Sequence, residues 1–214
     1  MNKEENVIRY YVLCNKLKNI IRTGWKDWNV ERERLESVAE HIYGVQMLAI
    51  AMNSEYNYDI DIMKVIMMLA VHELEEIYIG DIAVTDIKHK DKDKEAHEAV
   101  AKVLSGLMDK EKIYNLVIEF DEKKTKEAKF AFYCDKLECD LQSRLYDLDG
   151  CVDLNNQDGN YSMENSDVIE LLSSGMSFSE MWMTFGQRRY NYDDNFMAVS
   201  NFAKTHKISK YRDM

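Results

Sequence analysis

The chain has 214 residues, 46% of them hydrophobic and 31% charged, with a formal net charge of −11. It contains no proline and only 8 glycines, which excludes proline-rich linkers, collagen-like repeats and a turn-dense β-sandwich, since all three depend on Gly/Pro punctuation. The acidic balance also argues against a nucleic-acid polymer as partner, because such binding calls for a basic face.

The length fits a single domain over residues 1–214 with a substantial core. The opening Met1-Asn2-Lys3-Glu4-Glu5 lacks the basic-then-apolar order of a secretory signal. The longest aliphatic run, Val65 to Val71, falls far short of the roughly 20 residues of a membrane helix, so a soluble cytoplasmic protein is expected. Residues 5–22 are predicted as a first helix, with Val7, Tyr11, Leu13, Leu17 and Ile21 returning at helical spacing. Thr23 to Leu35 breaks that pattern with Gly24, two tryptophans and several arginines, and reads as a loop. A second helix starts at Ser37, whose Glu40 three places on completes a capping box. Its apolar stripe is Val38, Ile42, Val45, Leu48, Ala49 and Met52. A third helix runs from about Ile60 to Ile79 on the stripe Ile62, Val65, Ile66 and Leu69, and Gly80 is placed to end it.

Residues 91–108, 111–120 and 125–147 follow as helical segments. Gly150 to Ser166 is rich in Asn, Asp, Gly and Ser and reads as an exposed loop. Segments near 167–174, 178–190 and 193–206 close the chain as accessory helices. The fold class is therefore all-α. The stretch from Lys88 to Glu95 alternates in charge sign and is expected to be a solvated helix entry, with phosphate steering by Lys88 or Lys90 as the weaker alternative. Cys14, Cys134, Cys139 and Cys151 form no CxxC pair, so reduced, partly buried thiols are expected rather than a zinc or disulfide framework.

Three places carry ionisable residues where helical periodicity asks for core. His41 sits beside the apolar face of the second helix. His72 and Glu76 continue the stripe of the third at i, i+4 spacing, with Glu73 turned about 100° around the helix. Asp135 lies at the margin of an apolar face on the long helix. A buried carboxylate costs several kcal/mol unless it is paired or binds a metal. Taken together, His41, His72, Glu73 and Asp135 form a mixed nitrogen/oxygen set suited to a divalent transition metal such as Mn, Fe, Co, Ni or Zn. The alternative is a buried salt-bridge network using Lys136 or Arg144.

The strings Glu36-Ser37-Val38-Ala39-Glu40-His41, His72-Glu73 with Glu76 and Gly80-Asp81, and Asp135-Lys136-Leu137 resemble the HD-domain phosphohydrolases. They are most similar to the 5'-deoxynucleotidase branch, as is the upstream Arg22-Thr23-Gly24-Trp25. The resemblance covers roughly residues 8–147, the metal-binding core of the expected HD-type helical bundle, and residues 150–214 have no counterpart in it. It departs at Glu73, where the family carries aspartate. Glutamate keeps the charge and extends the reach by about 1.5 Å, so metal binding is expected with altered geometry.

The resemblance implies hydrolysis of nucleoside 5'-monophosphates by a metal-dependent phosphohydrolase, in a homodimer. It implies Glu76 as the group that orients or deprotonates water, and Asp81 as a holder of a sugar hydroxyl or a proton source for the leaving oxygen. For Asp81 the alternative is turn chemistry after Gly80. A phosphate in so acidic a protein needs local cations, for which Arg22 and Arg34 stand ready, with Arg32 a weaker substitute. Trp25 would stack against the sugar and favour deoxyribose; otherwise it anchors the loop, as Trp28 is expected to do. Competing readings are a hydrolase for another nucleotide, or a ligand-sensing or scaffold protein with an impaired site.

Overall fold

The computed structural model describes residues 2–82 and 92–214. Among these residues the secondary structure is helical, apart from one isolated antiparallel bridge between Ile21 and Ser37. Helix α1 spans Lys3–Cys14 and is capped by Asn2, whose side chain accepts the Glu5 N–H at 2.7 Å. The helix predicted over 5–22 stops early: Asn15–Asn19 tightens into a 3-10 turn and Ile20 is extended. A short α2, Thr23–Asp27, forms inside the predicted loop.

Helix α3 is Val38–Tyr56, and its capping box is formed as expected. The Ser37 N–H donates to Glu40 Oε2 at 2.9 Å, and the Glu40 N–H donates back to Ser37 Oγ at 3.3 Å. Both orphan donors at the helix start are thereby satisfied. The left-handed Asn57 (φ 49°) closes the helix.

The predicted third helix is two pieces, α4 (Ile62–Val71) and α5 (Glu76–Ile79). Between them the amides of Leu74 and Glu76 bond three residues back, to Val71 at 3.3 Å and Glu73 at 3.3 Å. Two local forces favour this tightening. Glu73, Glu75 and Glu76 would otherwise extend the negative end of the helix dipole with further negative charge, and the His72 ring takes the Leu69 carbonyl. Gly80 then ends α5 at φ 75°, a conformation that favours glycine.

Helices α6 (Lys92–Leu104), α7 (Lys110–Glu122) and α8 (Lys126–Leu148) follow. Arg9 ties α1 to the end of α6 by donating to the carbonyls of Lys102, Val103 and Ser105 at 2.8–3.0 Å. Lys88 and Lys90, with the start of the alternating charge run, lie outside the described residues. The predicted loop over 150–166 contains one 3-10 turn, Tyr161–Glu164. Helices α9 (Ser166–Ser173), α10 (Phe178–Tyr190) and α11 (Asp194–Thr205) complete the order, with a final 3-10 turn at Ile208–Asp213. No described helix is long and apolar enough to cross a membrane. All four cysteines are free thiols.

The chain divides into two compact units. The first comprises Met1–Thr23 and Glu36–Phe132, with a core of Val38, Val71, Leu74, Val100, Val103 and Leu104. The second comprises Gly24–Leu35 and Tyr133–Met214. Its core is aromatic: Trp25, Trp28, Tyr146 and Phe178 pack with Leu171 and Met181. The passage from one to the other falls within α8, after Phe132.

Candidate metal centre

In the first unit, α3 and the end of α4 bring two imidazoles together. His41, on the first turn of α3, is fully buried, and His72, the residue that closes α4, is 2% exposed. Their ring centroids are 5.7 Å apart. The His72 Nδ1 lies 2.8 Å from the Leu69 carbonyl oxygen. A carbonyl only accepts, so Nδ1 carries the proton and Nε2 presents its lone pair, the tautomer of a metal-ligating histidine.

Glu73 completes this cluster. Its Oε1 stands 3.4 Å from His72 Nε2 and 3.7 Å from His41 Nε2. The three ligand atoms lie within 4.8 Å of one another. Ligands each about 2.1 Å from one cation keep separations of roughly 3–3.5 Å, so these three atoms need only small adjustments to share one. Glu73 thus brings its carboxylate to both rings from the turn after α4.

A second layer of acids surrounds this corner. Arg22 Nη1 lies 3.5 Å from Glu73 Oε1, 3.9 Å from Glu76 Oε1 and 3.4 Å from Asp81 Oδ1. One guanidinium thus serves three carboxylates, and the excess negative charge suits a divalent cation. Glu76 is 6% exposed. Burial, reinforced by the charges of Glu73 and Asp81 and opposed by Arg22, pushes its carboxyl up to about 11. The i, i+4 relation between His72 and Glu76 survives the helix break, because the intervening turn keeps near-helical dihedrals at His72 and Glu75.

Asp81 is held from two directions. Its carboxylate accepts the Thr23 backbone N–H, and Thr23 Oγ1 donates to the Asp81 carbonyl at 2.7 Å. Thr23 is the positioning residue that sequence reasoning missed. Its signal was its place between Arg22 and Gly24, but nothing local says which distant backbone a threonine hydroxyl will meet.

The other candidate residues belong to the second unit. Asp135 is 3% exposed on α8, and its Oδ2 lies 2.8 Å from Lys136 Nζ. Arg144, the other cation weighed for a salt-bridge network, turns instead to Ser179 Oγ (3.1 Å), the Ala203 carbonyl (3.2 Å) and Asp147 (3.8 Å). The surroundings of Trp25 agree with its loop-anchoring alternative. It is 2% exposed, with ring centroids 5.2 Å from Tyr146 and 5.1 Å from Trp182, which makes it a core anchor of its loop. Trp28 anchors the same loop against Phe178 at 5.0 Å. Arg34 is exposed on that loop, and Arg32 is engaged by Asp149 at 2.9 Å.

Comparison with known proteins places these residues in context. The HD domain family model matches residues 14–190, so the family pattern continues past residue 150 into α9 and α10, beyond the span expected from the motifs. A 5'-deoxynucleotidase HDDC2 of Dictyostelium discoideum is 34% identical over 151 residues, covering 66% of this chain and 78% of that one. The 5'-deoxynucleotidase HDDC2 of Danio rerio is 31% identical over 149 residues, covering 67% and 70%. Among solved structures, the PH0347 protein of Pyrococcus horikoshii aligns with a TM-score of 0.63 at 25% identity, over 92% of this chain and 98% of that one. An HD-domain phosphohydrolase of Listeria innocua aligns at 0.57 with 18% identity, over 96% and 99%, which bears on the fold alone.

Proposed function

The chain belongs to the HD domain family, and from that premise we propose that it is a metal-dependent phosphohydrolase acting on nucleoside 5'-monophosphates, with deoxyribose forms preferred. The observation that carries the reading is the convergence of His41 Nε2 and His72 Nε2 on Glu73 Oε1, 3.7 and 3.4 Å away, beside a buried Glu76. The deoxynucleotidase relatives support the substrate class. The net charge of −11 supports a small nucleotide over a polymer.

In this proposal His41, His72, Glu73 and Asp135 hold one divalent transition metal, the donor set of two imidazoles and two carboxylates being suited to Mn, Fe, Co, Ni or Zn. When bound, such a cation polarises a phosphoryl oxygen and acidifies water. With the cation bound beside it Glu76 is ionised, holds the attacking water and takes its proton as the water oxygen bonds to phosphorus and the bond to the 5' oxygen breaks. The proton that Glu76 takes from water is passed to that oxygen by way of Asp81, which Thr23 holds in place and which alternatively binds a sugar hydroxyl. Arg22 orients the phosphate, and the exposed Arg34 steers it in.

The test is phosphate release from ribo- and deoxymononucleotides by chelated protein reloaded with each of these metals. Release that requires metal and is faster for deoxy substrates is expected. Protein that binds metal yet releases phosphate from no mononucleotide overturns the reading in favour of ligand sensing.

A further inference from the structure

Glu76 stands on a very short element. Helix α5 is the four residues Glu76–Ile79, too few to stay helical without outside support. Three contacts within the first unit supply it. Ile77 is buried in the core beside Leu74 and Val71. Just past the helix, Thr23 Oγ1 donates to the Asp81 carbonyl at 2.7 Å. On the outside, Tyr78 is 36% exposed and carries two ammonium groups over its ring. Lys102 Nζ, from the last turn of α6, is 4.0 Å from the ring centroid. Lys16 Nζ, from the 3-10 turn Asn15–Asn19, is 5.5 Å from it. Both lie within the distance of about 6 Å at which a cation is drawn to an aromatic face. Glu76 and Tyr78 are two residues apart, which sets them roughly 200° around the helix axis from each other.

We propose that Tyr78, clamped by Lys102 and Lys16, is the positioning residue of Glu76; the inference rests on the catalytic reading of Glu76 given above. Because the two side chains leave α5 on opposite sides, turning the helix to withdraw Glu76 drags the Tyr78 ring from beneath its cations. Lys102 resists that movement, since its own backbone is fixed. Arg9 Nη2 donates to the Lys102 carbonyl at 2.8 Å, and Nη1 to those of Val103 and Ser105 at 3.0 and 2.8 Å. The chain has 39 acidic residues, yet neither lysine forms an ion pair among the described residues, and the ring is what both engage. The Tyr78 hydroxyl makes no hydrogen bond among those residues, so the ring face alone carries the contact. A weak clamp suffices for a large effect, because a displacement of about 1 Å in a reacting group can cost on the order of 10²-fold in rate.

Steady-state kinetics of the full, Mn²⁺-loaded chain on a deoxymononucleotide test the assignment. Tyr78→Leu removes the ring and keeps an apolar side chain. Its kcat should fall about 10-fold, with KM and Mn²⁺ affinity within about 2-fold of wild type. Tyr78→Phe keeps the ring face and should retain the wild-type kcat. Lys102→Met keeps the stem without the charge and should lower kcat about 3-fold. In a Glu76→Gln background Tyr78→Leu should cost nothing further, because Tyr78 acts through Glu76. Wild-type kcat in Tyr78→Leu, an equal loss in Tyr78→Phe, a loss carried by KM or Mn²⁺ affinity, or a full further loss in the double variant each overturns the proposal. Hydrogen exchange separates this from failure of the catalytic reading. The amides of residues 76–80 should exchange about 10-fold faster in Tyr78→Leu and at the wild-type rate in Tyr78→Phe. A wild type that releases no phosphate removes the catalytic reading, whereas equal exchange in all three proteins removes the clamp.

Discussion

Arg22 Nη1 sits 3.4 Å from Asp81 Oδ1, joining residues 59 positions apart in the sequence. The same nitrogen faces Glu73 and Glu76 at 3.5 and 3.9 Å, and the Arg22 side chain is only 15% exposed. It is therefore the counterion of the acidic corner before any phosphate arrives. Arg22→Ala should lower the stability of chelated protein by about 1–3 kcal/mol, since it leaves buried carboxylates without their donor. The loss should shrink when metal is added, and KM for a deoxymononucleotide should rise. Thermal melts with and without metal, alongside steady-state kinetics, check both arms. Unchanged melting and unchanged KM would assign Arg22 to the surface.

Asp140 gives a second, independent prediction. It is fully buried on α8 and accepts the Tyr192 hydroxyl at 3.0 Å. Burial pushes its carboxyl well above the usual carboxylate range, opposed by the Tyr192 hydrogen bond and then by the charges of Lys136 and Lys204. That direction favours the neutral acid inside the second unit. Asp140→Asn should change stability by less than about 1 kcal/mol, because it exchanges one neutral polar group for another of the same shape. Tyr192→Phe should cost about 1–2 kcal/mol through the lost hydrogen bond. Urea denaturation measures both. A loss above about 3 kcal/mol for Asp140→Asn would mean that the carboxylate is ionised.

These sites differ in how far the sequence reveals them. The Ser37–Glu40 capping box and the apolar stripe of α3 are set by residues within a few positions of one another, so spacing alone shows them. The helix break between Val71 and Glu76 is hidden, because the apolar stripe runs through it unbroken. What decides there is the His72 bond to Leu69 together with the clustered glutamates. The burial of Trp25 depends on Tyr146 and Trp182, more than a hundred residues away, and no local pattern carries that. The candidate metal ligands are legible because buried polar residues on apolar stripes are rare enough to stand out.

Glu73 carries the sharpest prediction about the metal. Its Oε1 already stands 3.4 and 3.7 Å from the two imidazole nitrogens, close enough to share a cation with them. Glu73→Gln should weaken metal affinity about 10–100-fold, because it removes charge from the cation's immediate surroundings and keeps the shape. Glu73→Asp should still bind, with catalytic efficiency shifted modestly in either direction. Isothermal titration with Mn²⁺ or Co²⁺ separates these outcomes. If wild type binds neither metal and Glu73→Asp binds both, the glutamate has disabled the site.

Glu76 links the site to pH. Its carboxyl is pushed from an ordinary 4.5 up to about 11, first by burial and then by Glu73 and Asp81. Between those values the folded state holds a proton that the unfolded chain has released. Stability in metal-free protein is therefore lost as pH rises through that window. Glu76→Gln keeps the shape and cannot ionise, so its chelated form should lose less stability than wild type between pH 5 and 9. Its turnover should drop by about 10²–10⁴-fold, the usual worth of a positioned acid or base, while metal is retained. Melting temperature against pH for the two chelated proteins, with phosphate release for the loaded ones, tests the pair of effects. Parallel melting curves would show that Glu76 does not hold its proton in the fold. Wild-type turnover in Glu76→Gln would remove it from the chemistry.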